Sequence, residues 1–180
     1  VINDLIRSRR SIRKFKDKKV EKGKIDQILK AALMAPSSRS RCPWEFIVLD
    51  DQDILSKLST CREHGASFLK NAPLAIVVLA DTEKTDVWVE DASIAASYIQ
   101  LRAHDLGLGT CWIQVRNRFY SEGVETNEFI CQELGIPRHY AIECMIAVGY
   151  ADEEKSPYDE ESLKTEKLHY NGFRQGFELN

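Results

Sequence analysis

Apolar residues recur at helical spacing over Ile25, Ile28, Leu29, Ala32 and Leu33, which predicts a helix from about Glu21 to Ala35. Pro36 disfavours helical geometry at Ala35 and ends it. Leu74–Ala80 is different: an unbroken apolar run behind Asn71-Ala72-Pro73, of the length and kind expected for a strand buried on both faces. Val87–Leu106 carries Ala92, Ala95, Ala96, Ile99 and Ala103 on one stripe. It predicts a long central helix whose small residues let another backbone come close, stopped by Gly107-Leu108-Gly109. Shorter helices are expected at Asp4–Arg9 (capped by Asn3, with Leu5 and Ile6 inward), at Ile54–Cys61 behind the acidic turn Asp50–Asp53, and at Asn127–Leu134 before Gly135-Ile136-Pro137. Glu45–Leu49, Thr110–Val115 and Ala141–Tyr150 read as strands, and Ser11–Phe15 as extended chain. With no repeat and no low-complexity linker, the pattern is that of one α+β domain over residues 1–180. The tail beyond Ala151 is polar and then aromatic at Tyr170, Phe173 and Phe177, and is expected to wrap the body or a partner subunit.

Composition narrows the function. Twenty-five Lys and Arg against 28 Asp and Glu give a net charge of −3, which disfavours a nucleic-acid module. The longest apolar run is far short of the ~20 residues that span a bilayer, so no membrane span is expected. Arg7, Arg9, Arg10 and Arg13 crowd the start, with no apolar stretch resembling a signal peptide. Cys42, Cys61, Cys111, Cys131 and Cys144 are scattered and never form CxxC, and His104, His139 and His169 show no HExxH spacing. No metal site is expected, and isolated cysteines point to a reducing compartment, read as cytoplasmic.

Three segments could carry chemistry. In Ser8-Arg9-Arg10-Ser11-Ile12-Arg13, an extended chain puts Arg9, Ser11 and Arg13 on one face. Two guanidinium forks and a hydroxyl in line suit a phosphate dianion; a solvated basic stretch is the plain alternative. Ala35-Pro36-Ser37-Ser38-Arg39-Ser40-Arg41-Cys42-Pro43-Trp44 offers hydroxyls, guanidiniums and an indole to a polar heterocycle, or is an ordinary connector with Trp44 in the core. Leu106–Gln114 brings glycine backbone close to a neighbour and opens a strand whose N–H groups could face a flat ligand, or is simply a helix cap and core strand. It lacks GxGxxG, and the chain lacks GxxxxGK[ST], so neither a Rossmann nor a P-loop nucleotide site is indicated. Cys61 with His64 reads as structural rather than as a nucleophilic pair, and Asp50, Asp51 and Asp53 as caps.

Taken in order, these segments resemble the nitroreductase family of FMN-dependent oxidoreductases. The matching pieces are Arg9-Arg10-Ser11-Ile12-Arg13-Lys14-Phe15, Ala35-Pro36-Ser37-Ser38, Pro43-Trp44-Glu45-Phe46 and Asn71-Ala72-Pro73. Glu90-Asp91-Ala92-Ser93-Ile94-Ala95-Ala96, Leu106–Ile113, Leu134-Gly135-Ile136-Pro137 and Val148-Gly149-Tyr150 complete the set. The resemblance implies a mostly antiparallel sheet wrapped by helices in an intertwined homodimer, with FMN at the subunit interface. The alanine stripe and the aromatic tail would pack between subunits. It implies FMN phosphate on Arg9, Arg10, Ser11 and Arg13, with the loop Pro36, Ser37, Ser38 and Ser40 reaching the flavin from the other subunit. Backbone around Ile113, Gln114 and Val115 would face the ring, one N–H near N5. NADH or NADPH would be the donor and a nitroaromatic, quinone or related small molecule the acceptor, in ping-pong turnover. No protein nucleophile is required, since the cofactor carries the electrons.

Departures from the family pattern bear on these expectations. Relatives often carry Asn and Gln where Ser40 and Cys42 stand, and a Lys/Arg pair near the C-terminus that holds the phosphate, whereas here the stretch just after Gly149 is acidic and Lys155 is its nearby candidate. The short link after the central helix implies an open site and broad acceptor tolerance. Reductive dehalogenation or flavin remodelling on the same fold, and a flavin-binding sensor without turnover, are the alternative readings.

Overall fold

The computed structural model describes residues 2–176. Its elements are α1 (Ile2–Ser8), α2 (Lys22–Leu33), β1 (Trp44–Leu49), α3 (Gln52–Leu58), β2 (Leu74–Asp81), α4 (Trp88–Asp105), β3 (Gly109–Gln114), β4 (Phe119–Ser121), β5 (Val124–Glu125), α5 (Thr126–Leu134) and β6 (Tyr140–Gly149). The main sheet runs β1-β2-β6-β3, every neighbouring pair antiparallel, and β4 and β5 form a separate hairpin. No helix among the described residues is long and apolar enough to cross a membrane.

The apolar run of β2 is buried on both faces because it lies between β1 and β6 with a helical layer on each side. Ile76 and Val78 join Ile146 and Val148 of β6 in a core closed by α2 and α4. Ala75, Val77 and Leu79 face the opposite core, closed by α3, α5 and the extended Ile12–Phe15 segment. The alanine stripe of α4 is fully buried, but against its own sheet and α2. The stripe is therefore taken up within the chain and is not free to pack between subunits as expected; Ile94 and Tyr98 are the large apolar residues of α4 that stand exposed.

Most boundaries fall within two residues of the sequence expectation, with instructive exceptions. The first helix starts at Ile2, so Asn3 lies inside it rather than capping it, and Ile6 faces solvent. α3 begins earlier than expected because Asp51 caps it, its carboxylate accepting from the N–H groups of Asp53 and Ile54. The tail runs back over α1: the N–H of Tyr158 donates to Arg7 O at 2.9 Å. Tyr170 and Phe173 stay exposed, and Phe177 lies outside the described residues.

Candidate functional site

The extended strip after α1 is laid along the start of β3. Ser11 bridges Thr110 in parallel, and the N–H of Ile12 donates to Thr110 O at 2.9 Å. Glycine makes this approach possible: a Cβ on Gly109 would stand 2.8 Å from Ile12 Cβ. Alternation sends Ile12 into the core and turns Ser11 and Arg13 toward Cys111 of β3, while Arg9, whose N–H closes the last turn of α1 on Leu5 O at 3.0 Å, brings its charge near the same thiol. Burial pushes the Cys111 thiol up, while the charges of Arg13 and Arg9 and a hydrogen bond from Ser11 pull the other way. Arg13 also lies over the Phe68 ring at 6.0 Å, and its backbone N–H donates to Glu153 Oε1 at 2.5 Å, as does that of Lys14 at 3.1 Å. Arg9 Nη1 is buried and has no hydrogen-bond partner among the described residues.

Arg10 is not part of this convergence. Its guanidinium donates to Ser156 O and sits 4.6 Å over the Tyr158 ring, fastening the tail. On the flank, Ser8 donates its hydroxyl proton to Asp4 O at 2.6 Å, so the 2.7 Å contact with His104 must be a donation from His104 Nε2–H to Ser8 Oγ. Partial burial and the nearby Arg9 charge lower the His104 pKa, which favours the neutral ring.

β3 is an edge strand, and its backbone polarity follows from one bond. Since Thr110 turns its carbonyl away from β6 to Ile12, the amides of Trp112 and Gln114 also point off the sheet. Ile113 and Val115 are buried, their side chains in the core. Gln114 is thus the member of Ile113–Val115 that offers a backbone N–H at the open edge. Its carbonyl accepts from Arg62 Nη1 at 3.0 Å.

Pro36, Ser37, Ser38 and Ser40 lie in the loop that follows α2. Asp91 on α4 anchors it, its Oδ1 accepting from the Ser38 N–H at 2.8 Å, and Ser37 Oγ accepts from the N–H of Cys42 at 2.9 Å. Between these anchors Arg39, Ser40 and Cys42 all adopt positive φ, at 52°, 54° and 44°. Three non-glycine residues in the left-handed region within four positions constitute stored strain. The loop's hydrogen bonds run within itself and to Asp81, Lys84 and Asp91, and among the described residues none reaches the arginine strip.

The nitroreductase family model matches residues 6–61 and 60–150. The chain belongs to the nitroreductase family. An FMN-dependent nitroreductase from Clostridium difficile R20291 is 59% identical and superposes with a TM-score of 0.94, over 95% of this chain and 99% of that one. A protein of Archaeoglobus fulgidus, provisionally named NADH dehydrogenase/NAD(P)H nitroreductase, is 36% identical over 92% of this chain and 94% of that one. A nitroreductase from Desulfitobacterium hafniense DCB-2, solved with bound FMN, shares the fold at 24% identity and a TM-score of 0.71, covering 91% of this chain and 96% of that one.

Within this nitroreductase fold, sequence reasoning missed several residues. Arg62 and Phe68 come from the segment between α3 and β2, where no periodicity marks them. Glu153 sits in the acidic start of the tail; it orders the strip from below and holds Lys155, whose Nζ is 3.2 Å from Glu153 Oε2. Asp91 was visible within Glu90-Asp91-Ala92 but had no role assigned from sequence. Cys61 is fully buried, its thiol pushed up to about 11 by burial, and His64 is exposed, so the two form no nucleophilic pair.

Proposed function

We propose that this nitroreductase-family chain is an FMN-dependent oxidoreductase using NADH or NADPH to reduce nitroaromatics, quinones or related acceptors. The observation that carries the reading is the gathering of Arg9, Ser11 and Arg13 on the rim of β3, with Arg9 Nη1 buried and unpartnered. An unsatisfied buried donor costs roughly 1–3 kcal/mol, so a guanidinium held this way fits a ligand that supplies the acceptor. A phosphate matches that demand in charge and geometry.

In this reading the strip holds the FMN phosphate and the Gln114 N–H donates at the ring's N5 edge, with Ile113 and Val115 fixing that backbone from the core. Arg62 keeps the Gln114 peptide oriented by binding its carbonyl. When bound, the flavin supplies hydride and electron transfer, which accounts for a site without a protein nucleophile. Donor and acceptor would enter the same open site in turn, and turnover would be ping-pong. The loop at Pro36, Ser37, Ser38 and Ser40 is tied to Asp91 and apart from its own strip. This favours an intertwined homodimer in which the loop reaches the flavin of the partner subunit. The chain then acts as one flavin domain over residues 1–180, and in the cytoplasm.

The decisive experiment is anaerobic titration of the purified protein with NADH and with NADPH, followed at the flavin absorption band. Bleaching, then recovery on adding a nitroaromatic or a quinone, is the expected result, with parallel double-reciprocal plots in steady state. A protein that takes up FMN but bleaches with neither nucleotide would leave a flavin-binding protein without this turnover.

A further inference from the structure

β6 is apolar from Ile142 to Val148 except at one position, Glu143. The exception coincides with a break in register: Val78 pairs with Cys144 and Leu79 with Ile142, so Glu143 is the extra residue of a β-bulge. The bulge re-aims its side chain toward α4 and the far end of β3. The residue is 5% exposed, and its Oε2 is buried with no hydrogen-bond partner among the described residues. Ser93 Oγ of α4 lies 3.5 Å from Oε1, and the Gln114 side chain faces the carboxyl from β3. That Gln114 amide is itself locked, accepting from Trp112 Nε1 at 2.8 Å and donating to Arg116 O at 2.9 Å.

A lone buried carboxyl placed by a bulge behind the residue that offers N–H at the open edge calls for a role, since a leucine there would extend the core at lower cost. We infer that Glu143 is a positioning residue which acts through Gln114 on the N5 edge of the flavin and adds a step of its own to the pH dependence that the cofactor's reduction potential has through its proton uptake. The inference rests on the flavin reading given above and concerns the regulation of that same site.

The charge balance sets the direction. α4 presents Glu90 and Ser93 to the carboxyl, the β3 end presents Gln114 and Arg116, and the neighbour on β6 is the buried thiol of Cys144. Burial and Glu90 favour the neutral acid, and Arg116 favours the carboxylate, with burial the largest influence, so the group titrates above the ordinary glutamate range. Below that transition the carboxyl is neutral and leaves the flavin undisturbed. Above it, a negative charge stands behind the edge that becomes electron-rich on reduction, and reduced flavin binds less tightly relative to oxidised.

The test measures the midpoint potential of bound FMN from pH 4.5 to 8.5 in the wild type, Glu143→Gln and Arg116→Gln. A unit charge acting over roughly 10–12 Å, from the carboxyl past the Gln114 backbone to the ring, at an effective dielectric of about 20, is worth on the order of tenfold in the ratio of reduced to oxidised affinities. Tenfold is about 30 mV for a two-electron couple. Glu143→Gln is expected to match the wild type at low pH and to lie higher by that amount at high pH. Arg116→Gln, which leaves the backbone bonds to Glu143 O in place, is expected to shift the wild-type transition to higher pH. Carboxyl-carbon NMR of the flavin-free protein gives an independent readout: a glutamate titrating above the ordinary range, absent in Glu143→Gln. Superimposable potential curves for the wild type and Glu143→Gln in proteins that both hold FMN would overturn this inference alone. A wild-type chain that takes up no FMN would overturn the flavin reading and this inference with it.

Discussion

Arg9→Ala separates binding from stability with opposite signs. In the isolated chain Arg9 Nη1 is buried without an acceptor, so truncation removes an unsatisfied donor rather than a working bond. The flavin-free variant is therefore expected to melt at or above the wild-type temperature. With FMN the comparison reverses, because a charge-assisted hydrogen bond contributes about 1.5–3 kcal/mol, roughly ten- to a hundredfold in Kd. At a free FMN concentration of 100 times the wild-type Kd, binding stabilises the wild type by about 2.7 kcal/mol. The same concentration is only about 10 or 1 times the variant's Kd, leaving ~1.4 or ~0.4 kcal/mol. At about 2–4 °C per kcal/mol for a chain of this length, the FMN-induced rise in Tm is about 5–11 °C for the wild type and about 1–6 °C for the variant. The assay is a pair of thermal melts with and without FMN, beside a fluorescence titration for Kd. An equal FMN-induced shift in both proteins would refute the placement of the phosphate on this guanidinium.

Three further outcomes follow from the same geometry. Gly149→Ala would put a Cβ 2.7 Å from Pro73 Cδ and 2.9 Å from Phe15 Cδ1, and Gly109→Ala one 2.8 Å from Ile12 Cβ. Overpacking of this kind typically costs about 1–3 kcal/mol, so both should lower Tm in calorimetry, and only Gly109→Ala should also weaken FMN, by displacing the strip. Asp91→Ala frees the Ser38 N–H and lets the strained Arg39–Cys42 turn relax, which should cut kcat/KM and increase protease cleavage within 36–43, while Asp91→Asn keeps an acceptor and most of the activity. The Glu153 carboxylate is held below its ordinary pKa, first by the Arg13 N–H. Its folded-state pKa is depressed, so its contribution is fully present above the ordinary glutamate range and is lost as pH falls through the lowered value. Melts from pH 6 to pH 3 should show the wild type losing its advantage over Glu153→Gln, and a gap that is constant with pH would contradict this role.

The parts of the site legible in the sequence are those governed by local rules. Alternation was enough to part Ser11 and Arg13 from Ile12, although Arg9 is placed by the last turn of α1, and the continuous apolar run was enough to centre β2. Arg10 illustrates the limit: its destination is the tail at Ser156 and Tyr158, more than 140 positions away, and no local pattern encodes that meeting. The alanine stripe of α4 was correctly seen as a close-packing face, but a stripe cannot say which backbone it meets, and the neighbours are α2 and the chain's own sheet. Arg62, Phe68 and Glu153 belong to segments without periodicity, and their relevance exists only once the sheet has closed. Glu143 did have a readable signature, one acid in an apolar strand, although the bulge that aims it depends on a register that only β2 imposes.

The unfavourable features of the fold are unevenly distributed. Among the described residues, three of the four buried unpartnered atoms are Arg9 Nη1 in the strip, Asp91 Oδ2 at the loop's anchor and Glu143 Oε2 on β6 behind the β3 edge, the fourth being Trp44 Nε1 where the loop enters β1; of the six left-handed non-glycine residues, Arg39, Ser40 and Cys42 lie in that loop, and Asn117, Asn171 and Arg174 lie elsewhere. Each costs on the order of 1–3 kcal/mol, a large fraction of what a domain of this size has to spare. The sheet between its two helical layers sustains that cost, because β2 and the middle of β6 bury apolar side chains on both faces. A region that carries such defects gains most from a ligand that supplies the missing acceptors and, in the proposed dimer, from a second subunit that covers the loop. Binding and assembly should therefore raise stability locally. Hydrogen exchange should slow first at Ser11–Arg13, at the Gln114 amide and across 36–43, while the already saturated amides of β2 change little.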